Sequence, residues 1–357
     1  MEKAIQSLTY LFLAGLPFVY YYAILSPYEI PKVWMIWIVA IMSVGLGVAT
    51  KTHDFNRRLV ELLLILLTWL VLGAWWSGDF WQSWWGNPYR MDGLITLFAL
   101  IIIGMTMRVK PQFLMWVGWG GVVMAAWVII KGNYLDPLTM GNVNFLAGYL
   151  ALTMPLVWEY VRPRWLTALP FIAVFAIGSW GGVLTIGCWL VITILYKYPK
   201  WLMFVLGALG LLIVVLYVQD FQKRLLPSEI VAECRSRIFG KALIAIKERP
   251  LTGWGWARFS VAFAQIDYPF HYYIDANVDR THSSILEFGV AGGLPALALY
   301  LAIVGIVVAK LRKSEDRLDA VFGTIVLLYV IQSQTNVTSV AQDYLFWLGV
   351  GRAINET

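Results

Sequence analysis

Asp279-Arg280-Thr281-His282-Ser283-Ser284 stands immediately before an apolar run that reaches Val308. Of the three histidines, His53, His271 and His282, it is His282 that sits between charged residues and a long hydrophobic stretch. A neutral imidazole can accept a proton from a hydroxyl near neutral pH, which few side chains do. Arg280 lies two residues before it and Glu287 five after. An arginine fork matches phosphate oxygens, so this group of residues could handle an anion and a hydroxyl together. The same residues have a plainer use. Asp279 and Thr281 can cap a helix, with Glu287 turned toward lipid headgroups. Both uses need a helix that starts near residue 284.

More cationic chemistry lies upstream. Residues 219–283 carry nine Lys and Arg, including Arg235, Arg237, Lys241, Arg249, Arg258 and Arg280, with seven acidic residues among them. In "SEIVAECRSRIFGKALIAIKERP", Ile238, Ala242, Ala245 and Ile246 fall on one helical face. Pro250 ends that helix, and the glycines of "LTGWGWARF" permit a turn. A basic amphipathic helix of this kind fits two settings: a membrane surface, or an anionic ligand held by its arginines. His53, among Lys51, Arg57 and Arg58, reads as solvated, and His271, in "YPFHYYIDAN", as part of an interfacial aromatic cluster. Cys188 and Cys234 lie too differently placed for a disulfide, and no metal-ligand spacing occurs.

The elements that must position these residues are membrane helices. The 357 residues are 60% apolar and 13% charged, far from a soluble average. A spanning backbone must satisfy its own polar groups, and ten-residue alternating segments of the β-barrel kind are absent, so the fold class is all-α and polytopic. Twelve spans are expected, near 7–25, 33–49, 59–75, 92–107, 112–130, 143–160, 165–178, 180–196, 201–218, 284–309, 319–335 and 342–354, or eleven if the tight seventh and eighth merge. They form one transmembrane domain over residues 1–357, with 219–283 as its large outer loop before the tenth helix. With both termini cytoplasmic, inner segments hold fifteen Lys and Arg while the short outer loops hold three, Lys32, Arg90 and Lys131. That bias is the positive-inside pattern, and it assigns the net charge of +6 to membrane orientation and not to nucleic acid.

"SRIFGKALIAIKERPLTGWGWARF" followed by "DRTHSSILEFGVAGG" resembles the outer-loop signature of the O-antigen ligase and O-antigen polymerase superfamily. "GNVNFLAGYLALTMPL" resembles that family's Gly-Asn-x-Asn segment, and "WWGNPYRMDGL" its first outer loop with Arg-x-Asp-Gly. The resemblance implies a glycosyltransferase of the bacterial cytoplasmic (inner) membrane. Its donor would be an undecaprenyl-diphosphate-linked glycan and its acceptor a glycolipid or glycan hydroxyl, with no metal or nucleotide cofactor. It assigns His282 to activation of the acceptor hydroxyl, and Arg237, Arg280, Arg90 and Arg235 to the diphosphate. Asp279 and Glu287 would support them, and Trp84 and Trp85 beside Arg90 could stack on sugar or prenyl groups, although an interfacial belt accounts for them more simply. The chain departs from the family at Trp180, where an arginine is usual, and at Ser283, where an asparagine commonly follows the histidine. A surface-polysaccharide polymerase is the alternative within the family, and a lipid-glycan transporter or flippase the alternative outside it. Transport would draw on the intraspan prolines and a midplane charge site.

Overall fold

The computed structural model describes residues 2–50, 55–195, 235–266 and 278–355. The expected span 201–218, together with His53, His271 and Cys234, lies outside them. The described residues form helices α1 (Glu2–Gly15), α2 (Ile30–Thr50), α3 (Arg57–Trp76), α4 (Phe80–Trp85), α5 (Leu94–Thr106), α6 (Pro111–Lys131), α7 (Val143–Tyr160), α8 (Ala168–Ile177), α9 (Trp180–Leu195), α10 (Arg235–Glu248), α11 (Phe259–Gln265), α12 (Ser284–Lys313), α13 (Arg317–Gln332) and α14 (Val340–Ile354). Three of them, α3, α6 and α12, are long and apolar enough by themselves to cross a membrane, and several shorter apolar helices accompany them. The first expected span is shorter than its hydropathy suggests. α1 stops at Gly15, and Pro17 sits in a 3-10 turn over Leu16–Phe18, because a proline ring removes a helical donor and crowds the preceding turn.

Polar contacts sort the helix ends into two sets. At one end the Asn56 amide donates to Ile354 O (2.7 Å), Arg352 pairs with Asp316 (2.6 Å), Arg317 pairs with Glu159, and Lys310 Nζ reaches Ala353 O (2.8 Å). At the other, Arg280 meets Asp92, Arg258 meets Ser77, Lys32 meets Thr139 and Ser339 meets Glu29. These are the same two groups into which the charge pattern divides the loops. Arg280, one of the sequence-based candidates, belongs to the second set.

α12 is broken at Gly292 and Gly293, just before Pro295. In an unbroken helix the Leu294 amide would bond Val290, and Ala291 O would await a donor that Pro295 does not have. The turn after α10 fills both places. Trp254 N donates to Val290 O (2.7 Å), Gly255 N to Ala291 O (3.0 Å), and Leu294 N turns to Pro250 O (2.7 Å). Gly253 is required for this docking, since its φ is +66° and a Cβ there would lie 2.5 Å from the Ala291 carbonyl. "PLTGWGW" is thus a plug for a broken membrane helix, which keeps freed carbonyls from facing hydrocarbon unsatisfied.

The apolar face of α10 turns inward and not onto a membrane surface. Ile238, Ala242, Ala245 and Ile246 are buried against Trp254, Phe259, Phe263 and Val290. The amphipathic spacing was real, but its partner is the plug and α11.

Candidate functional site

Below the second set of helix ends lies a cavity of about 110 Å³, lined in part by Arg90, Asp92, Arg280, Thr281, His282, Ser283 and Glu287. That volume is several times the roughly 10–15 Å³ that one water needs, so a polar group of several atoms fits. Two loops build the charged wall. Between α4 and α5, Gly86 adopts φ +82° and lets the chain turn so tightly that a Cβ would sit 2.3 Å from Gly93 N. Within this turn Asn87 N donates to Asp92 Oδ1 (3.1 Å), which aims Arg90 and Asp92 toward the second loop, residues 278–283.

Arg280 joins the two loops. Its Nε donates to Asp92 Oδ2 (2.9 Å), its Nη2 to Asp92 O (3.1 Å) and its Nη1 to Glu287 Oε1 (2.8 Å), while the guanidinium lies over the Trp256 ring at 5.5 Å. Glu287 also accepts from the Thr281 amide and hydroxyl, each at 3.0 Å. Burial opposes the Arg280 charge, but Asp92 and Glu287 more than offset it and hold its pKa above the ordinary arginine value. Burial likewise pushes the Asp92 carboxyl up, and the Arg280 and Arg90 charges overcome it and hold Asp92 below the usual carboxylate range.

His282 follows this clasp in the left-handed region, with φ +57°, which non-glycine residues seldom occupy. Both neighbours are pinned. Thr281 Oγ1 donates to Ser283 O (2.8 Å), and Ser283 caps α12 by accepting from Leu286 N (3.2 Å) while its hydroxyl donates to Gln334 Oε1 (2.6 Å). Serine therefore performs a capping and bridging role at the position after the histidine. The imidazole is half-buried, and its Nδ1 is buried without a hydrogen bond to any described residue. Burial, then the Arg235 and Arg90 charges, push its pKa down to about 4 against a smaller opposing pull from Asp279. At neutral pH it is an uncharged proton acceptor.

The other expected residues divide. Arg90 Nε pairs with Asp279 Oδ2 (2.7 Å), and its guanidinium sits 5.4 Å from the Phe145 ring centroid. Arg235 Nη2 donates to Asn336 Oδ1 (2.5 Å), and Asn336 lines the cavity. Arg237 is buried elsewhere, its guanidinium 5.5 Å from the centre of the Phe263 ring, and is not among the cavity-lining residues. Trp84 stacks on Phe80 (5.6 Å) and Trp85 approaches Trp37 (6.1 Å); neither lines the cavity. Trp180 is exposed, while the preceding Ser179 hydroxyl donates to Asn144 Oδ1 (2.8 Å) and ties the α8–α9 turn to the start of α7. Among the described residues no three His, Cys, Asp or Glu side chains are grouped to hold a metal.

Lining residues outside the sequence-based set include Asp92, Asn336, Glu29 and Asp343. Asp92 had a signal, two residues after Arg90 in the Arg-x-Asp-Gly turn, and Asp343 had one as an acid in an apolar helix. Glu29 and Asn336 had none, because their roles depend on contacts with distant segments.

Residues 165–301 match a family model described as O-antigen ligase. No curated protein matches the chain. The matched stretch contains His282, Arg280, Arg235, Arg237, Asp279 and Glu287, while Arg90 and Asp92 lie before it.

Proposed function

We propose that this chain, a membrane protein whose residues 165–301 match a family model described as O-antigen ligase, transfers a glycan from an undecaprenyl-diphosphate donor to an acceptor hydroxyl outside the bacterial cytoplasmic membrane. One observation carries the reading: an uncharged imidazole at the rim of a cavity lined by charged residues, beside Arg90, which pairs with one partly exposed carboxylate. In this scheme the donor diphosphate lies against Arg90 and Arg235. Its negative charge offsets the cations that depress His282, so the imidazole becomes a stronger base once the donor is bound. His282 takes the acceptor proton, the acceptor oxygen bonds to the anomeric carbon, and the bond from that carbon to the diphosphate oxygen breaks with its electron pair. The leaving diphosphate gains charge in that step, so guanidinium donors favour the transition state over the ground state. Arg280 acts as a positioning residue, since Asp92 and Glu287 hold its fork. The same reading has both termini in the cytoplasm and a glycolipid or another glycan as the acceptor.

The test is a product assay on membranes containing the protein, a lipid-diphosphate-linked glycan and an acceptor. A single new conjugate supports a ligase, and a ladder of repeats supports a surface-polysaccharide polymerase. Glycan moved across the bilayer with no new bond would overturn transfer in favour of a flippase.

A further inference from the structure

The cavity carries charge of both signs on different elements. Arg90 and Arg280 come from the two outer loops, whereas Glu29 and Asp343 come from the segment before α2 and from the first turn of α14. Glu29 has a complete structural explanation. Its two oxygens accept from Ser339 Oγ (2.8 Å) and Val340 N (3.3 Å), which closes the N-terminus of α14. A second acid is not needed there for capping. Asp343 nevertheless lines the cavity, with Oδ1 accepting from the Tyr329 hydroxyl at 2.7 Å. A carboxylate offers about four acceptor sites, so this bond orients the group and leaves acceptor capacity. Phosphate is repelled from such a wall, while a hydroxyl-bearing ring donates to it.

We infer that Asp343, held by Tyr329, is a specificity-determining residue that receives hydroxyl groups of the sugar next to the diphosphate, so that the two-signed cavity fixes which end of the donor faces which wall. This rests on the donor reading under Proposed function. The full-length protein in nanodiscs is titrated with two probes, undecaprenyl diphosphate and undecaprenyl-diphosphate-linked N-acetylglucosamine. Wild type binds the sugar-bearing probe more tightly. Asp343→Ala removes roughly tenfold of that preference, the worth of a hydrogen bond to a charged group, and leaves the bare diphosphate bound as well as before or better. Tyr329→Phe, which keeps the carboxyl but releases it, removes a smaller part. If the alanine variant does not fold, the isosteric Asp343→Asn is judged by the same criterion. Equal weakening of both probes, or no change in either, overturns the inference alone. A wild-type protein that binds neither probe overturns the inference and the donor reading together.

Discussion

Arg280 and Arg90 flank the same cavity and each pairs across the two loops, Arg280 with Asp92 and Arg90 with Asp279, yet they are built for different work. Arg280 is 12% exposed and divides its fork between Asp92 and Glu287, which are themselves mostly buried. Arg90 is 21% exposed and shares one bond with Asp279, which is 28% exposed. A cation held by two fixed carboxylates is part of the scaffold, whereas one with a single, more exposed partner can exchange that partner for a phosphate. Proximity to the histidine does not by itself give an arginine a role toward ligand.

The largest effect expected from this contrast is on stability. Arg280→Leu leaves the Asp92 and Glu287 carboxylates largely buried without their shared cation, and breaking a buried ion pair from one side costs about 3–5 kcal/mol. Denaturation of the detergent-extracted protein should show the loss. For Arg90→Leu, a pair with both partners partly solvated, it should be about 0–1 kcal/mol. Equal melting of the two variants would erase the distinction. In turnover the order reverses in kind. Arg90→Ala should lose roughly 10- to 100-fold in kcat/KM with melting unchanged, and Arg90→Lys should fall between, since an ammonium keeps the charge without the fork.

The pH dependence is a smaller and sharper test. With His282 at about 4 in the free protein, the acid limb of kcat/KM should appear near pH 4 and not near the 6.5 of an ordinary imidazole. Stability carries the same sign. Because the folded pKa is depressed, the unfolded chain binds the proton first, so stability falls as pH drops from about 6.5 toward 4 and is indifferent to this group above that window. His282→Gln should flatten that part of a melting-against-pH curve. An unchanged slope would show that the imidazole is not held neutral. Smallest of all, Arg237→Lys should leave turnover within a few-fold of wild type, because Arg237 packs over Phe263 away from the cavity. A large loss with normal melting would bring Arg237 into the donor site.

Arg237 shows where reading the sequence stops. Its neighbours in sequence placed it in a basic amphipathic helix, and the helix exists with its apolar stripe where the 3.6-residue period puts it. Which way one arginine on that helix points depends on Phe263, in another helix, and no local pattern encodes that. The membrane helices and the convergence of Arg280, His282 and Glu287 at a helix start were legible, because each rests on hydropathy or on spacing within one segment, whereas the break of α12 at Gly292-Gly293 fell inside what the hydropathy reads as one continuous span. Asp92 taking the Arg280 fork across 188 residues, and Glu29 closing α14 across more than 300, were not. Those pairings are set by how helices pack, and packing is read only from the assembled fold.

The most direct test of the central claim is turnover of His282→Ala per folded molecule, measured with a lipid-diphosphate-linked glycan donor and normalised to detergent-extracted protein that melts cooperatively. Loss of the proton acceptor should lower turnover by roughly 10² to 10⁴, the usual worth of general acid–base catalysis, with donor binding and melting temperature close to wild type. Wild-type turnover, or a loss matched by an equal loss of folded protein, would contradict the account and leave His282 as a structural residue at the start of α12.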